Sequence, residues 1–171
     1  MKRRVILPLL ALSSMGIGLY IGKSRRQKPA EPTSPSLGQI EFPDIDKTIR
    51  NAEEWLGKIV VVNHWATWCP PCLKEIPVFI EYQRQKGGQG VQVIGIAHDL
   101  LDATRRFSDE IGMNYPSLVA IIGGGELMRA QGNHTGALPF TAIYDQSGQL
   151  ARTHLGEMDW EDIDKAVSPL L

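Results

Sequence analysis

The stretch of sequence that decides the fold spans residues 59–72 and reads IVVVNHWATWCPPC. Its first seven residues are mostly apolar, which is typical of a strand buried on both faces. The pentapeptide WCPPC follows and contains Cys69 and Cys72, the only two cysteines in the chain. Because no thiol is left to build a structural disulfide framework, we interpret this pair as a site of chemistry.

The spacing of the two cysteines predicts a reversible disulfide at the start of a helix. Residues three apart share one helix face, with Cβ atoms about 5–6 Å apart, and a small adjustment then gives disulfide geometry. Pro70 suits the first helical turn, so we expect Cys69 at the helix entrance and Cys72 inside the first turn. There the helix dipole favours a thiolate at Cys69, the predicted nucleophile, and Cys72 is the predicted resolving thiol.

The two intervening prolines predict the direction of the reaction. Pro70 and Pro71 each lack a backbone N–H that would otherwise stabilise the Cys69 thiolate. The reduced form is therefore expected to be less favoured than in strongly oxidising proteins with such sites. A protein with this property donates electrons, so the motif predicts a reductant.

The N-terminus predicts a membrane anchor followed by a tether. Basic residues flank the apolar stretch 5–22, which reaches about 27 Å as a helix, just enough to span a bilayer core. We expect a signal anchor over residues 1–22, a Pro/Ser-rich tether over 23–39 and a folded domain over 40–171. A cleaved signal peptide remains the alternative. The anchor predicts a single-pass inner-membrane protein with its domain in the periplasm, or more generally on the extracytoplasmic side.

The remaining pattern predicts an α/β sandwich with a mixed central sheet, because strands alternate with helices before a terminal hairpin and helix. A short helix capped by Asn51 precedes the first strand, and the helix of the cysteine motif runs to about Lys86. The elements expected after it are strand 91–97, helix 101–111, strand 117–122, helix 126–131, hairpin strands 140–144 and 149–155, and a helix capped by Asp159. A net charge of −1 without a long basic run excludes nucleic acid as a partner.

Residues 61–77, VVNHWATWCPPCLKEIP, with LPFT at 138–141, resemble the TlpA/ResA-like branch of the thioredoxin superfamily. The resemblance covers about residues 40–168. It implies a thioredoxin-like three-layer sandwich and a membrane-tethered or exported thiol-disulfide oxidoreductase. It also implies a cis peptide at Pro139, facing the cysteines, and a Leu138 backbone free to pair with a substrate strand. Typical clients of the branch belong to cytochrome c maturation or to copper-centre assembly in respiratory oxidase.

Glu75 is the predicted proton-transfer residue. At 100° per residue it lies within about 60° of Cys72 around the helix, so it shares the buried stripe. Apolar surroundings raise the pKa of a carboxyl, and the resemblance implies that this glutamate moves protons to and from Cys72. The alternative is an exposed helix glutamate. Asn63 stands where thioredoxin has a buried aspartate, and we expect it to be a structural hydrogen-bonding residue.

The predicted docking surface lies around the cysteine pair. Its expected members are Trp68, Pro70, Pro71, Leu138 and Pro139. Trp65 is expected in the core, and His64, where the family usually has phenylalanine, is expected to be a structural residue. For His98 two interpretations remain open, a side chain near the cysteines or a solvated loop residue. The glycosylation sequon at Asn133 is interpreted as a chance match.

The predicted function is reduction of disulfides in exported client proteins, catalysed by Cys69, Cys72 and Glu75. A membrane electron-donor protein must restore the dithiol after each reaction. No cofactor and no bound metal are expected. Three alternatives remain open: an oxidant or isomerase on the same fold, a copper or zinc chaperone that uses both cysteines and a histidine, and a thiol peroxidase, which the spacing fits less well.

Overall fold

The computed structural model describes residues 35–171, so the predicted anchor over residues 1–22 lies outside the described residues. Within the described part, no helix has the length and hydropathy needed to cross a membrane. The strands are β1 (Glu41–Pro43), β2 (Ile49–Asn51), β3 (Ile59–Trp65), β4 (Val91–Ala97), β5 (Ser117–Val119), β6 (Phe140–Tyr144) and β7 (Leu150–Leu155). The α-helices are α1 (Pro70–Lys86), α2 (Leu101–Ile111), α3 (Gly124–Ala130) and α4 (Trp160–Val167).

The main sheet has five strands in the order β5-β4-β3-β6-β7. β3 is the central strand; it runs parallel to β4 and antiparallel to β6. β5 adds in parallel to β4, and β7 adds antiparallel to β6. The predicted mixed sheet is therefore confirmed, and the carboxyl ends of β3, β4, β5 and β7 all lie at one edge of it.

Helices cover both faces of the sheet, which gives the predicted three layers. One face packs against α1 and α4, and Val61 of β3 belongs to that cluster. The other face packs against α3 and the segment before β3, and Val62 belongs to that cluster. Because side chains alternate along a strand, Asn63 and Trp65 point toward α1, whereas His64 points toward the α3 side.

The folded part begins before residue 40, the predicted start of the domain. Leu37 is fully buried, and its N–H donates to the carbonyl of Gly148 at 3.0 Å. Ser36 also forms a β-bridge with Gln149. Residues 35–39, which the prediction assigns to the tether, are thus packed against the hairpin between β6 and β7.

Other differences from the predicted elements have local causes. β5 ends at Val119 instead of residue 122, because its partner β4 ends at Ala97, which lies opposite Val119. Asn51 does cap a helix, since its side chain accepts from the N–H of Glu53, but that helix is a four-residue 3-10 turn. The β1–β2 hairpin was not predicted; each of its strands has only three residues.

Candidate active site

The two cysteines form a disulfide at the amino end of α1, as predicted. Cys69 is the residue before the first helical turn and Cys72 lies inside it. Their sulfurs are bonded at 2.08 Å, and their Cα atoms are 5.3 Å apart. Cys69 is 4% exposed and Cys72 is fully buried. Cys69 is therefore the sulfur that a partner reaches first, in keeping with its predicted role as nucleophile.

The first turn of α1 offers few backbone donors to a Cys69 thiolate. Pro70 and Pro71 occupy the first two helical positions and have no N–H. The first amide available in the helix is that of Cys72. The helix dipole thus acts on Cys69 with little direct hydrogen bonding from the first turn.

Asp99, which is not among the predicted site residues, fixes the loop that leads into the cysteine motif. Its carboxylate accepts from the Thr67 N–H at 3.0 Å and also from the Thr67 hydroxyl. The backbone N–H of His98 donates to the carbonyl of Trp65 at 2.9 Å. The loop after β4 therefore positions the loop after β3. The sequence signal that could have identified Asp99 is its position as an acidic residue shortly after β4, the strand parallel to β3.

Glu75 is fully buried, so the alternative of an exposed helix glutamate is wrong. Its Oε1 accepts from Asn63 Nδ2 at 2.7 Å, and its Oε2 accepts from the backbone N–H of Met158 at 2.9 Å. Burial raises the pKa of Glu75 to about 7, although both hydrogen bonds act in the opposite direction. The carboxyl therefore gains and loses a proton near neutral pH.

Asn63 makes the hydrogen bonds expected of a structural residue. Besides its bond to Glu75, its Nδ2 donates to Thr141 Oγ1 at 3.3 Å. Thr141 lies opposite Asn63 on β6 and is also fully buried. An amide at position 63 thus supplies a neutral donor to the carboxyl, which leaves Glu75 as the titrating group.

The peptide between Leu138 and Pro139 is cis, as the resemblance implied. Leu138 packs against the apolar cluster that contains both cysteines. The carbonyl of Pro139 accepts from the N–H of Gly156 at 2.9 Å, which ties this loop to the end of β7. Leu138 thus lies against the cluster that contains the disulfide, and pairing of its backbone with a partner strand stays a prediction.

Trp68 and Trp65 have the contrasting environments that the sequence predicted. Trp68 is 65% exposed in the loop before Cys69, whereas Trp65 is fully buried in the cluster that contains the cysteines. Pro70 is exposed and Pro71 is partly exposed. Trp68, Pro70 and Pro71 are therefore accessible to solvent on either side of Cys69 in the sequence, and their docking role stays a prediction.

His98 neither faces the cysteines nor is a solvated loop residue, because it is half-buried and bonded to His64, so both interpretations of it are wrong. Its Nε2 lies 2.9 Å from Nδ1 of His64, on the face of the sheet opposite Trp65. His64 Nε2 bonds Gln131 Oε1 at 2.7 Å, and Gln131 Nε2 donates to the Tyr144 hydroxyl at 2.8 Å. Burial, together with the neighbouring His98, lowers the pKa of His64 to about 3. His64 is therefore a neutral, fully paired structural residue.

Two further sequence features have structural explanations. Asn133 of the sequon is buried, and its side chain donates to the carbonyl of Ala137 and accepts from Thr135 Oγ1. A side chain in that position is not available as a glycan acceptor. In the triple glycine, a Cβ at Gly124 would lie 2.7 Å from the His98 ring, so the small residue there makes room for the histidine. Among residues 35–171, no three His, Cys, Asp or Glu side chains are grouped to hold a metal ion.

Known proteins are similar to this chain in sequence and in architecture. A family model described as Redoxin matches residues 33–170. The thiol-disulfide oxidoreductase ResA of Bacillus thuringiensis subsp. konkukian is 28% identical over 163 residues, which cover 95% of this chain and 91% of that protein. ResA of Geobacillus thermodenitrificans is 26% identical over 162 residues, covering 94% of this chain and 90% of that protein.

A solved structure is also similar to this chain. The thiol:disulfide interchange protein of the thioredoxin family from Chlorobium tepidum has a TM-score of 0.68 and 30% identity, over 82% of this chain and 97% of that one. These matches confirm the predicted thioredoxin-like fold and the predicted enzyme class, a thiol-disulfide oxidoreductase. The chain belongs to the redoxin family, in the TlpA/ResA-like branch of the thioredoxin superfamily.

Proposed function

We propose that this protein reduces disulfides of exported client proteins with the electrons of a Cys69/Cys72 dithiol. The observation that carries the proposal is the arrangement at the start of α1. There the cysteine pair is followed, within one helical turn, by a buried carboxyl whose pKa is about 7. The relatives named thiol-disulfide oxidoreductases support the same class of reaction.

Reduction begins when the Cys69 thiolate attacks one sulfur of the client disulfide and releases the other client sulfur as a thiolate. Cys72 then transfers its proton to the Glu75 carboxylate, attacks Cys69 and releases the second client sulfur. The client takes up two electrons, and its two sulfurs are protonated, one by Glu75 and one by solvent. The protein is left with the Cys69–Cys72 disulfide.

Glu75 suits this proton transfer because its pKa lies close to physiological pH. A base with such a pKa is deprotonated often enough to accept the Cys72 proton and protonated often enough to return it. The hydrogen bonds from Asn63 and from the Met158 N–H hold the carboxyl at one place in the core. We therefore assign proton transfer at Cys72 to Glu75.

A protein client is supported by exposed apolar side chains at the edge of the sheet where the disulfide also lies. Among residues 35–171, eight large apolar side chains are exposed, and five of them lie in the loops or strand ends at the edge where β3, β4, β5 and β7 end. These five are Trp68, Leu100, Ile121, Ile122 and Leu155. Exposed apolar side chains at this edge fit an unfolded or extended polypeptide better than a small disulfide.

The location and the electron source are proposed from the N-terminal sequence and the family branch. An anchor over residues 1–22 and a tether that ends near residue 35 hold the domain at the extracytoplasmic surface of the inner membrane. A membrane protein that carries electrons from the cytoplasm then reduces the Cys69–Cys72 disulfide. Cytochrome c maturation and copper-centre assembly are the proposed pathways of the clients.

Trapping experiments in cells test this function. We expect the wild-type protein to be mostly reduced when thiols are alkylated rapidly, whereas a mostly oxidised protein supports an oxidant or isomerase. Cys72→Ser is expected to accumulate mixed disulfides through Cys69, which identify client and donor together. Cys69→Ser is the matched control and is expected to trap neither, because its remaining thiol is fully buried.

A further inference from the structure

A surface pocket of about 480 Å³ lies between the turn that joins β1 to β2 and the start of α2. α2 begins shortly after β4 ends, and β4 runs parallel to β3. The start of α2 and the cysteine motif are therefore at the same edge of the sheet. We call this space the α2 pocket. The residues that line it are Lys47, Leu100, Leu101, Asp102, Ala103 and Arg106.

Asp99 connects the α2 pocket with the cysteine motif. Its Oδ2 accepts from the Thr67 N–H at 3.0 Å, and its Oδ1 accepts from the N–H of Leu100 at 2.7 Å. One carboxylate thus joins a residue that lines the pocket to the residue two positions before Cys69. A client chain of about five extended residues, at about 3.3 Å each, is therefore long enough to reach from the disulfide to the pocket.

Hydrogen bonds hold the turn that carries Lys47 against α2. Within the turn, Asp44 Oδ1 accepts from two backbone N–H groups, at 2.9 and 3.0 Å. From α2, the Arg105 guanidinium donates to the carbonyl of Ile45. These bonds fix the turn before a ligand binds, which reduces the entropy that binding must overcome.

The backbone of Lys47 is strained. Its φ is 67°, and within the described part of the chain it is the only residue other than glycine with a positive φ. Asparagine, aspartate and histidine adopt this left-handed conformation far more readily than lysine. Strained residues of this kind are concentrated at ligand-binding and active sites. A lysine at this position therefore indicates a role for its charge.

The α2 pocket offers unpaired cations beside an apolar wall. Lys47 and Arg106 are exposed, and neither forms a salt bridge among residues 35–171. The pocket also contains Asp102, but this residue lies in the first turn of α2, where the helix dipole stabilises its carboxylate. Leu100, which is 65% exposed, and Leu101 supply the apolar wall. This chemistry fits an acidic side chain carried on a polypeptide.

We propose that the α2 pocket binds an Asp or Glu side chain of the client, located within about five residues of the client cysteine. Lys47 and Arg106 attract its carboxylate, while Leu100 contacts the neighbouring apolar part of the client chain. Charges at the rim of a site mainly decide which partner binds and how fast. The pocket thus selects clients without taking part in the chemistry at Cys69. The inference rests on the proposed function, because it names the clients that the same dithiol reduces.

Two disulfide-bonded peptides test the preference. They are identical except for Asp or Lys at the fourth position from one cysteine, and each is mixed with the reduced full-length protein. We expect the second-order rate constant to be about 3- to 10-fold higher for the Asp peptide, because two favourable charge contacts are made at the pocket. Bis(2-hydroxyethyl) disulfide, which is small and neutral, reports the chemical step alone. Equal rate constants for the two peptides overturn the proposal.

Three variants locate the preference. Lys47→Glu and Arg106→Glu are expected to remove or reverse it, while the rate with the small neutral disulfide stays within about twofold of wild type. Lys47→Asn removes the charge but keeps a residue that suits the backbone. We therefore expect it to lower the preference by about two- to threefold without making the protein easier to unfold in urea. A preference that is unchanged in all three variants overturns the proposal.

Lys165→Glu is the matched control. Lys165 is also exposed and forms no salt bridge among the described residues, but it lies on α4 and lines a different pocket, between β7 and α4. The substitution changes the net charge by the same amount as Lys47→Glu, and we expect it to keep the preference for the Asp peptide. A loss of preference as large as that in Lys47→Glu assigns the effect to the charge of the whole molecule and overturns the proposal.

A binding measurement separates this inference from the proposed function. Fluorescently labelled copies of the two peptides, with serine in place of cysteine, are titrated with the full-length protein and followed by anisotropy. We expect the Asp peptide to bind about 3- to 10-fold more tightly than the Lys peptide. Preferential binding by a protein that reduces no disulfide contradicts only the proposed function. Reduction without any preference contradicts only the client selection by the α2 pocket.

Discussion

The end of β3 supplies two buried polar networks, one on each face of the sheet. On the α1 side, Asn63 bonds Glu75, which also accepts from the Met158 N–H. On the α3 side, the next residue, His64, bonds His98 and Gln131. Adjacent residues of one strand thus feed two separate networks, because side chains alternate between the faces.

The two networks differ in how completely their groups are paired. Both ring nitrogens of His64 are hydrogen-bonded, and its pKa is lowered to about 3, so it stays neutral at physiological pH. On the α1 side, Asn63 Oδ1 lacks a partner among the described residues, and the pKa of Glu75 is raised to about 7. The α3-side network is thus neutral and fully paired, whereas the α1-side network contains a buried carboxyl whose pKa lies near neutral pH.

The largest expected effect is on the α1 side, at the cysteines. Cys72→Ser removes the thiol that resolves the mixed disulfide, so turnover in a disulfide-reduction assay should fall to background while Cys69 is still alkylated by iodoacetamide. Multiple turnover by this variant would contradict the assigned roles of the two thiols.

The next effect is expected at Glu75. Glu75→Gln keeps the shape of the side chain but removes the base, so we expect release of the mixed disulfide to slow by about 10- to 100-fold. In the wild-type protein this step should accelerate as pH rises through about 7, because the carboxyl must be deprotonated to accept the Cys72 proton. The variant should lose that inflection. Stopped-flow kinetics across pH 5–9 measure both, and an inflection retained in the variant assigns the titration to another group.

The raised pKa of Glu75 also predicts how stability depends on pH. The folded carboxyl holds its proton up to about pH 7, whereas the unfolded one releases it near 4.5. The folded state therefore binds more protons between these values, and the free energy of unfolding should fall by about 3 kcal/mol as pH rises through that window, then level off. Urea denaturation at a series of pH values measures it.

Glu75→Gln supplies the comparison for this measurement. The free energy of unfolding of this variant should depend less on pH across the same window. Above pH 7 the variant should be more stable than the wild type, because the buried amide carries no charge. If the free energy of unfolding depended equally on pH in the two proteins, the pKa of Glu75 in the folded protein would be the ordinary one of a glutamate.

The smallest effect on activity is expected on the α3 side. His64→Phe introduces the residue usual in the resembling family but leaves His98 Nε2 and Gln131 Oε1 without their partner. We expect a loss of about 1–3 kcal/mol in unfolding free energy and a reduction rate within about twofold of wild type. A large loss of activity without loss of stability would remove the distinction between the two networks.

The sequence predicted the features that depend on local spacing. The apolar run of β3, the cysteines at the start of α1 and the placement of Glu75 on the stripe of Cys72 all follow from strand and helix periodicity. The burial of Glu75 could be predicted for the same reason, because Glu75 lies on the same side of the helix as Cys72. The cis peptide before Pro139 came from the family resemblance alone.

The missed features depend on contacts between distant parts of the chain. Met158 and Asp99 reach the site only after folding, and their bonds to Glu75 and Thr67 span 83 and 32 residues. His98 was ambiguous because a residue beyond the end of a strand has no fixed face until its partner is known. Leu37 resembled a tether residue for a similar reason, as its burial requires the hairpin between β6 and β7.

The most direct test of the account is a stoichiometric transfer of electrons. The purified protein, reduced at Cys69 and Cys72 and freed of reductant, is mixed with a disulfide-containing protein, and thiols are counted on both. The account predicts two new client thiols for each Cys69–Cys72 disulfide formed. A client disulfide that stays intact while the cysteines remain reduced would contradict it.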